Sequence, residues 1–306
     1  MLSEIYTMKK LVFISLIVLT CLSCKTQTNR ATRVFKETDL EFQLIKNLDN
    51  DLTETSGLEY YNNLIITHND SGDQPTLYFL DQKGTLLYSK TYKNMKAVDW
   101  EDITKDDTHL YIADTGNNRG NRKDLSIYKI ALKELNNEDA LVEKLHLSYP
   151  DQKSFEKGDQ DHPYDAESLV AIEKDLYLFS KDWKDQTTVI YKINKNQKDQ
   201  KAEKVSSYNI KGLVTGATFN GKNTVLLCGY NSSLTPFVFK VHYENGTFEF
   251  LEKQELSING GAQVEAISYL TTKNTKEVYY FSCEATNIQL GEDEALSQSK
   301  LYELKW

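Results

Sequence analysis

From Thr55 onward, short apolar runs alternate with short polar ones, and the same order of runs returns five times. The stretches TSGLEYYNNLIITHNDSG (55–72), VDWEDITKDDTHLYIADTGNN (98–118), YDAESLVAIEKDLYLFSKD (164–182), VTGATFNGKNTVLLCGYN (214–231) and VEAISYLTTKNTKEVYYFSCE (264–284) share one layout. Each holds a short apolar run, a polar turn and a second run rich in Leu, Tyr, Ile and Val. A third run with an aromatic near its middle follows each: TLYFLD (76–81), LSIYKI (125–130), TVIYKI (188–193), FVFKV (237–241) and KLYEL (300–304). Four of the five add a fourth run: TLLYSKTY, VEKLHLSY, AEKVSSYNI and FEFLEKQEL. Runs of this length, rich in β-branched and aromatic residues and bounded by Asn, Asp and Gly, predict strands. The 3.6-residue periodicity of an amphipathic helix is missing, which excludes a bundle.

Four short strands per unit of ~40–65 residues is the signature of a β-propeller. A sandwich also has many short strands but predicts no five matching units. The fifth unit ends at Trp306, just after its third strand, and an unmatched run, DLEFQLIKNL (39–48), precedes the first unit. That run can supply the missing fourth strand and so remove an open sheet edge. The expectation is an all-β, five-bladed β-propeller over 39–306, closed by an N-terminal strand that completes the last blade.

The N-terminus reads differently. Met8-Lys9-Lys10 is a short basic region, and Leu11 to Leu19 is apolar, at a length that suits a signal peptide rather than a membrane-spanning helix. Ser23-Cys24 resembles a bacterial lipoprotein processing site, with Cys24 becoming the lipidated first residue. An ordinary cleaved signal is the alternative, because Cys21 stands where Leu is usual. Residues 1–7 read as an upstream extension. The division expected is a signal peptide over 1–23, a tether over 24–38 and the propeller over 39–306. The protein is then exported, a lipoprotein of the outer membrane or cell surface, with the membrane as partner through its lipid anchor. Cys228 and Cys283 remain in the body and fall in different strands, so two free, buried thiols are expected.

Charge narrows the partners. With 36 Lys and Arg against 45 Asp and Glu, the net charge of −9 argues against nucleic acid and is compatible with cations. The first strand of each propeller blade lines the central channel. Aligned there, Ser56, Glu101, Glu167, Gly216 and Glu265 share one position, with Asp99, Asp165 and Gln263 two residues earlier and on the same strand face. Carboxylates converging in a narrow channel either share protons or hold a cation. Oxygen donors without His or Cys suit calcium or magnesium, and irregular spacing favours calcium. Ser56, Glu101, Glu167 and Glu265 are therefore candidate metal ligands. The alternative is that the glutamates cap backbone amides or bond across blades. The second-strand ends bring Asn69, Asp70, Asp114 and Lys181 to the same face, and with Asp99 and Asp165 they are candidates for binding a small molecule or protein at the channel mouth. His162 is a candidate acid or base there. NDSGD (69–73) lacks the spacing and distal Glu of a calcium loop and reads as a turn. No nucleophile elbow, P-loop, HExxH or CxxC motif occurs.

The segments SGLEY, DWEDI, IADTGNN, DAESL and VTGATF resemble the signatures of a widespread, largely uncharacterised group of bacterial secreted propeller lipoproteins, over about residues 52–306. The ring of Ser56, Glu101, Glu167 and Glu265 is similar to the channel of the five-bladed soluble calcium-activated nucleotidases, the apyrases. That resemblance implies a calcium among serines and glutamates. It departs at Gly216, where only Thr215 or a backbone carbonyl could supply oxygen, and the family's basic nucleotide-binding residues are not found here. Three functions compete: a calcium-binding propeller that recognises a ligand on its loop face, a calcium-dependent hydrolase of phosphate or lactone esters, and a metal-free envelope scaffold.

Overall fold

The computed structural model describes residues 40–258, 262–290 and 293–306. The signal peptide, Cys24 and the tether expected over 24–38 lie outside the described residues. After β1 (Glu41–Asn47) the chain lays down the first blade, β2 (Thr55–Tyr61), β3 (Leu64–Asn69), β4 (Thr76–Leu80) and β5 (Leu86–Thr91). The second blade is β6 (Asp102–Lys105), β7 (His109–Asp114), β8 (Ser126–Ala131) and β9 (Val142–Ser148). The third is β10 (Ala166–Ile172), β11 (Asp175–Ser180) and β12 (Thr187–Asn194), then, past β13 (Asp199–Lys201), its outer strand β14 (Glu203–Asn209). The fourth is β15 (Leu213–Phe219), β16 (Thr224–Tyr230), β17 (Pro236–Glu244) and β18 (Thr247–Glu255). The fifth opens with β19 (Val264–Lys273) and β20 (Lys276–Cys283). A hairpin, β21 (Thr286–Leu290) and β22 (Asp293–Ser297), precedes its third strand, β23 (Lys300–Lys305).

Each blade is an antiparallel meander. The last sheet runs β1-β23-β20-β19, with Glu41 opposite Lys305 and Asn47 opposite Lys300. The N-terminal strand thus closes the ring as the second edge of the last blade. Five hydrophobic clusters among the described residues show the same closure, because each spans one blade-to-blade interface. Trp100, between two acids in the sequence, is buried in the interface of blades one and two with Ile66, Phe79, Ile112 and Tyr128. Its indole N–H donates to the carbonyl of Lys96 at 2.9 Å, so the ring is buried without an orphan donor. Inner strands are buried on both faces, while the outer strand β5 alternates half-buried and exposed residues along its length. That difference explains why the inner strands read as apolar runs and the outer ones as alternating sequence.

Two elements were not expected from sequence. The strand β13 leaves its own blade and adds in parallel to β9, extending blade two to five strands. The hairpin β21–β22 stands as a two-stranded sheet of its own. Cys228 and Cys283 are free and buried, as expected. Among the described residues no helix is long and apolar enough to cross a membrane.

Candidate metal centre

The channel side chains are set by a bulge that recurs in the inner strands. The register slips between Thr55 and Leu58, between Ala166 and Ser168, between Val214 and Gly216, and between Val264 and Ala266. In blade two the N–H of Glu101 donates to Ala113 just ahead of the Asp102–Ala113 pair. A bulge inserts one residue and re-aims its side chain. The residues so placed are Ser56, Glu101, Glu167, Thr215 and Glu265. The expected position of Gly216 is corrected by one: Thr215 holds the ring place in blade four. The signal was in the sequence, since Val214-Thr215 matches Val264-Glu265 better than Thr215-Gly216 does.

Two members of this ring spend their protons on the neighbouring blade. The Ser56 hydroxyl donates to the carbonyl of Glu101 at 2.6 Å, and that of Thr215 to the carbonyl of Val264 at 2.5 Å. Only their lone pairs remain for a ligand. The three glutamates are buried, at 2–5 % exposure. Glu101 Oε1 and Asp165 Oδ2 are buried with no hydrogen-bond partner. Such atoms are uncommon in folded proteins and call for an explanation.

The acids converge in two overlapping groups. One carboxylate oxygen from each of Asp70, Asp99 and Glu101 lies within 4.8 Å of the others, and the same holds for Glu101, Asp165 and Glu167. The first group has two half-exposed members, and the second is wholly buried. Lys181, 5 % exposed and directly after β11, places its ammonium 2.5 Å from Glu167 Oε2. That ammonium also stands 5.0 Å from the ring centre of Trp183 and 5.5 Å from that of Tyr230.

Electrostatics follow from burial and crowding. Burial pushes the carboxyls of Glu101 and Glu167 well above the usual range; Asp70 and Glu167 add to the rise at Glu101, and Lys181 opposes it at Glu167. Asp70 rises to about 7 through burial and then Asp99, while Asp99 rises to about 6 through burial and Asp165, opposed by Arg122. Glu265 rises to about 7 by burial, restrained by Lys181, and Glu284 to about 9 by burial and then Glu265. The Glu167 and Glu265 carboxylates hold Lys181 well above its ordinary value despite burial, so it stays charged.

Other candidates at this face are engaged locally. Asp114 Oδ1 accepts from Arg122 Nη2 at 2.8 Å and from the N–H of Asp99 at 3.1 Å, and Arg122 Nη1 donates to the carbonyl of Gly116 at 2.7 Å. Asp114 therefore braces the loop that carries Gly116 against the segment that carries Asp99 and Glu101 into β6. A methyl group on Gly116 would overlap Glu101 Oε1 and lie 2.5 Å from Asp99 Oδ2. Both oxygens press on one glycine, which explains the Gly of DTGNN. The Asn69 amide donates to Asp51 and Asp73, and its carbonyl oxygen accepts from the N–H of Glu54. His162 accepts from the N–H of Tyr164 at 3.1 Å. NDSGD runs as a turn from the end of β3.

Sequence reasoning missed the floor of this mouth. One residue past the bulge stand Gly57, Asp102, Ser168, Gly216 and Ala266. Asp102 is fully buried. Its Oδ2 accepts from the N–H of Leu169 at 2.8 Å and of Ala217 at 3.3 Å, and its Oδ1 from the N–H of Ile103 at 2.8 Å. The side chain thus reaches from blade two to blades three and four, across the channel, because the other four ring positions are small. Burial pushes its pKa well up, and the three N–H groups pull it back.

The fold and site define a five-bladed propeller with an acidic mouth. No protein-family model matches the chain, and none of the curated proteins does. Among solved structures it is similar to a PQQ-bound aldose sugar dehydrogenase from Streptomyces coelicolor, at 11% identity and a TM-score of 0.47, over 87% of this chain and 98% of the other. A glucose dehydrogenase matches at 7% and 0.49, over 86% and 99%, and a protein from Lactobacillus plantarum at 14% and 0.41, over 80% and 70%. At these values the likenesses carry no argument about chemistry.

Proposed function

We propose that this propeller is an envelope lipoprotein that binds a divalent cation, calcium first, at the acidic mouth of its channel and recognises a ligand on the loop face there. One observation carries the reading: buried carboxylate oxygens, Glu101 Oε1 and Asp165 Oδ2, lie unpartnered amid further acids, with Lys181 as the buried cation against them. The donor set is all oxygen, which fits a hard cation, and the half-exposed Asp70 and Asp99 leave it a way in. The apyrase resemblance points the same way for the metal. Calcium should raise the melting temperature of chelator-treated protein, and magnesium less. A ligand of the folded state at a hundredfold excess over Kd adds ~2.7 kcal/mol. A melting temperature indifferent to calcium would refute the reading.

The membrane part rests on the Ser23-Cys24 junction and is tested by labelling with a palmitate analogue, with Cys24→Ala as control. Equal labelling of both, or none, removes the anchor.

A calcium-dependent hydrolase of phosphate or lactone esters is the second reading. It is favoured by the gathering of half-buried Asp70 and Asp99 beside buried Glu101, Asp165 and Glu167, which offers more carboxylates than one cation needs and so leaves one for a general base. A bound cation would supply Lewis-acid polarisation of the substrate. Phosphatase, nucleotidase and lactonase assays with calcium separate it from pure recognition.

A further inference from the structure

We infer, building on the cation reading above, that one divalent cation is held by Asp70, Asp99 and Glu101 on the side of blades one and two, and that Lys181 stands in for a second cation on the opposite side, against Glu167 and Glu265. A symmetric ring centre would share an ion equally among Glu101, Glu167 and Glu265. The geometry breaks that symmetry. Glu167 Oε2 already has an ammonium at 2.5 Å, and the same ammonium is the chief charge opposing Glu265. Among the described residues no ammonium or guanidinium is paired directly with the other side: Glu101 is 2 % exposed and its Oε1 has no partner, and Arg122, which opposes Asp99 at a distance, gives its ion pairs to Asp114 and Asp124.

Both acidic groups meet the ~4.8 Å limit on oxygens bound at about 2.4 Å to one calcium, and two further facts favour the Asp70 side. Glu101 Oε1 and Asp99 Oδ2 face the same point over Gly116, where no side chain intervenes. Asp70 and Asp99 are half-exposed, so an ion can enter and keep water ligands, whereas Glu101, Asp165 and Glu167 form a closed group. Glu101 belongs to both groups and links the two cation positions.

Calorimetric titration of the full chain with calcium chloride, at pH 8 after chelation, tests this partition. Asp70→Asn, Asp99→Asn and Glu101→Gln should each weaken binding at least about tenfold, since calcium affinity follows ligand charge. Glu167→Gln and Glu265→Gln should stay within about threefold of wild type, since neither is a ligand. Lys181→Met should raise the stoichiometry from one ion to two, and Glu167→Gln combined with Lys181→Met should return it to one. Circular dichroism confirms folding of each variant; if Lys181→Met does not fold, the carboxylate series decides alone. Calcium binding weakened as much by Glu167→Gln as by Asp70→Asn would overturn the partition while leaving a channel cation intact. No binding by wild type would overturn the cation itself, and the partition with it.

Discussion

Glu101 and Asp102 are adjacent, both acidic and both buried, yet their neutral amides should move stability in opposite directions. Asp102 accepts three backbone N–H groups, two on Oδ2 and one on Oδ1. An asparagine has one carbonyl oxygen. However it sits, its NH2 faces at least one of those donors, from Ile103 or from Leu169 and Ala217. A buried donor left without an acceptor costs about 1–3 kcal/mol. The misplaced NH2 adds a similar penalty, so Asp102→Asn should cost about 2–6 kcal/mol. The result holds for either charge state, because both oxygens accept. Glu101→Gln loses nothing at Oε1, which has no partner, and it removes a charge crowded by Asp70, Glu167, Asp99 and Asp165.

The pH dependence gives Glu101 its sign. Its folded pKa is raised, so the folded state holds the proton more tightly than the unfolded one. The penalty of ionisation is absent below the unfolded value of about 4.3 and grows as pH rises above it. Glu101→Gln should therefore leave stability unchanged near pH 4 and stabilise the metal-free protein by at least about 1 kcal/mol at pH 8, since one pKa unit is worth about 1.4 kcal/mol. With calcium the same variant should be less stable than wild type, having lost a ligand. Urea unfolding in chelator, at about pH 4 and about pH 8, either side of the unfolded value, measures both variants. An unchanged slope reports the midpoint shift as stability. Asp102→Asn within about 0.5 kcal/mol of wild type, or Glu101→Gln destabilising in chelator at pH 8, would refute the reasoning.

Gly116→Ala should weaken calcium binding and cost about 1–3 kcal/mol, because the new methyl displaces Glu101 Oε1 and Asp99 together; wild-type melting and calcium response would show the two carboxylates are not held there. Deleting 39–48 removes β1 and exposes β23 along its length, so aggregation should rise and melting fall, while deleting 25–33 should leave both unchanged; equal behaviour of the two deletions, read by light scattering, would contradict the closure.

The architecture was legible because each blade repeats one pattern and the chain ends out of phase. A third strand at 300–304 with no successor, and a strand at 39–48 with no predecessor, admit one partner each. Glu101, Glu167 and Glu265 were legible as channel residues because the bulge recurs after an apolar residue: Trp100, Ala166 and Val264. Gly216 was misplaced because glycine carries no face to read. Asp102 was invisible for a different reason. Its role depends on four small residues from four other blades, and no local pattern announces that a side chain will cross a channel. Lys181 was legible as a rim residue but not as the partner of Glu167, its neighbour on the next strand of the same blade, since the bulge between Ala166 and Ser168 decides which way that carboxylate turns.

The acids at the mouth work against the fold that carries them. Burying ionisable groups without partners costs several kcal/mol each unless they are neutralised, against a total stability of roughly 5–15 kcal/mol. One level down, the same channel shows how a buried acid is made harmless: Asp102 is given three N–H donors and small neighbours. Glu101 is given none at Oε1, although Gly116 and the Arg122–Asp114 brace hold it firmly in place. That contrast, one carboxylate fully satisfied and the next fixed with an oxygen bare, is what the proposed cation site rests on. With Lys181 set against Glu167, the proposal places a small doubly charged ion at Asp70, Asp99 and Glu101, where two of the three carboxylates are half-buried rather than enclosed.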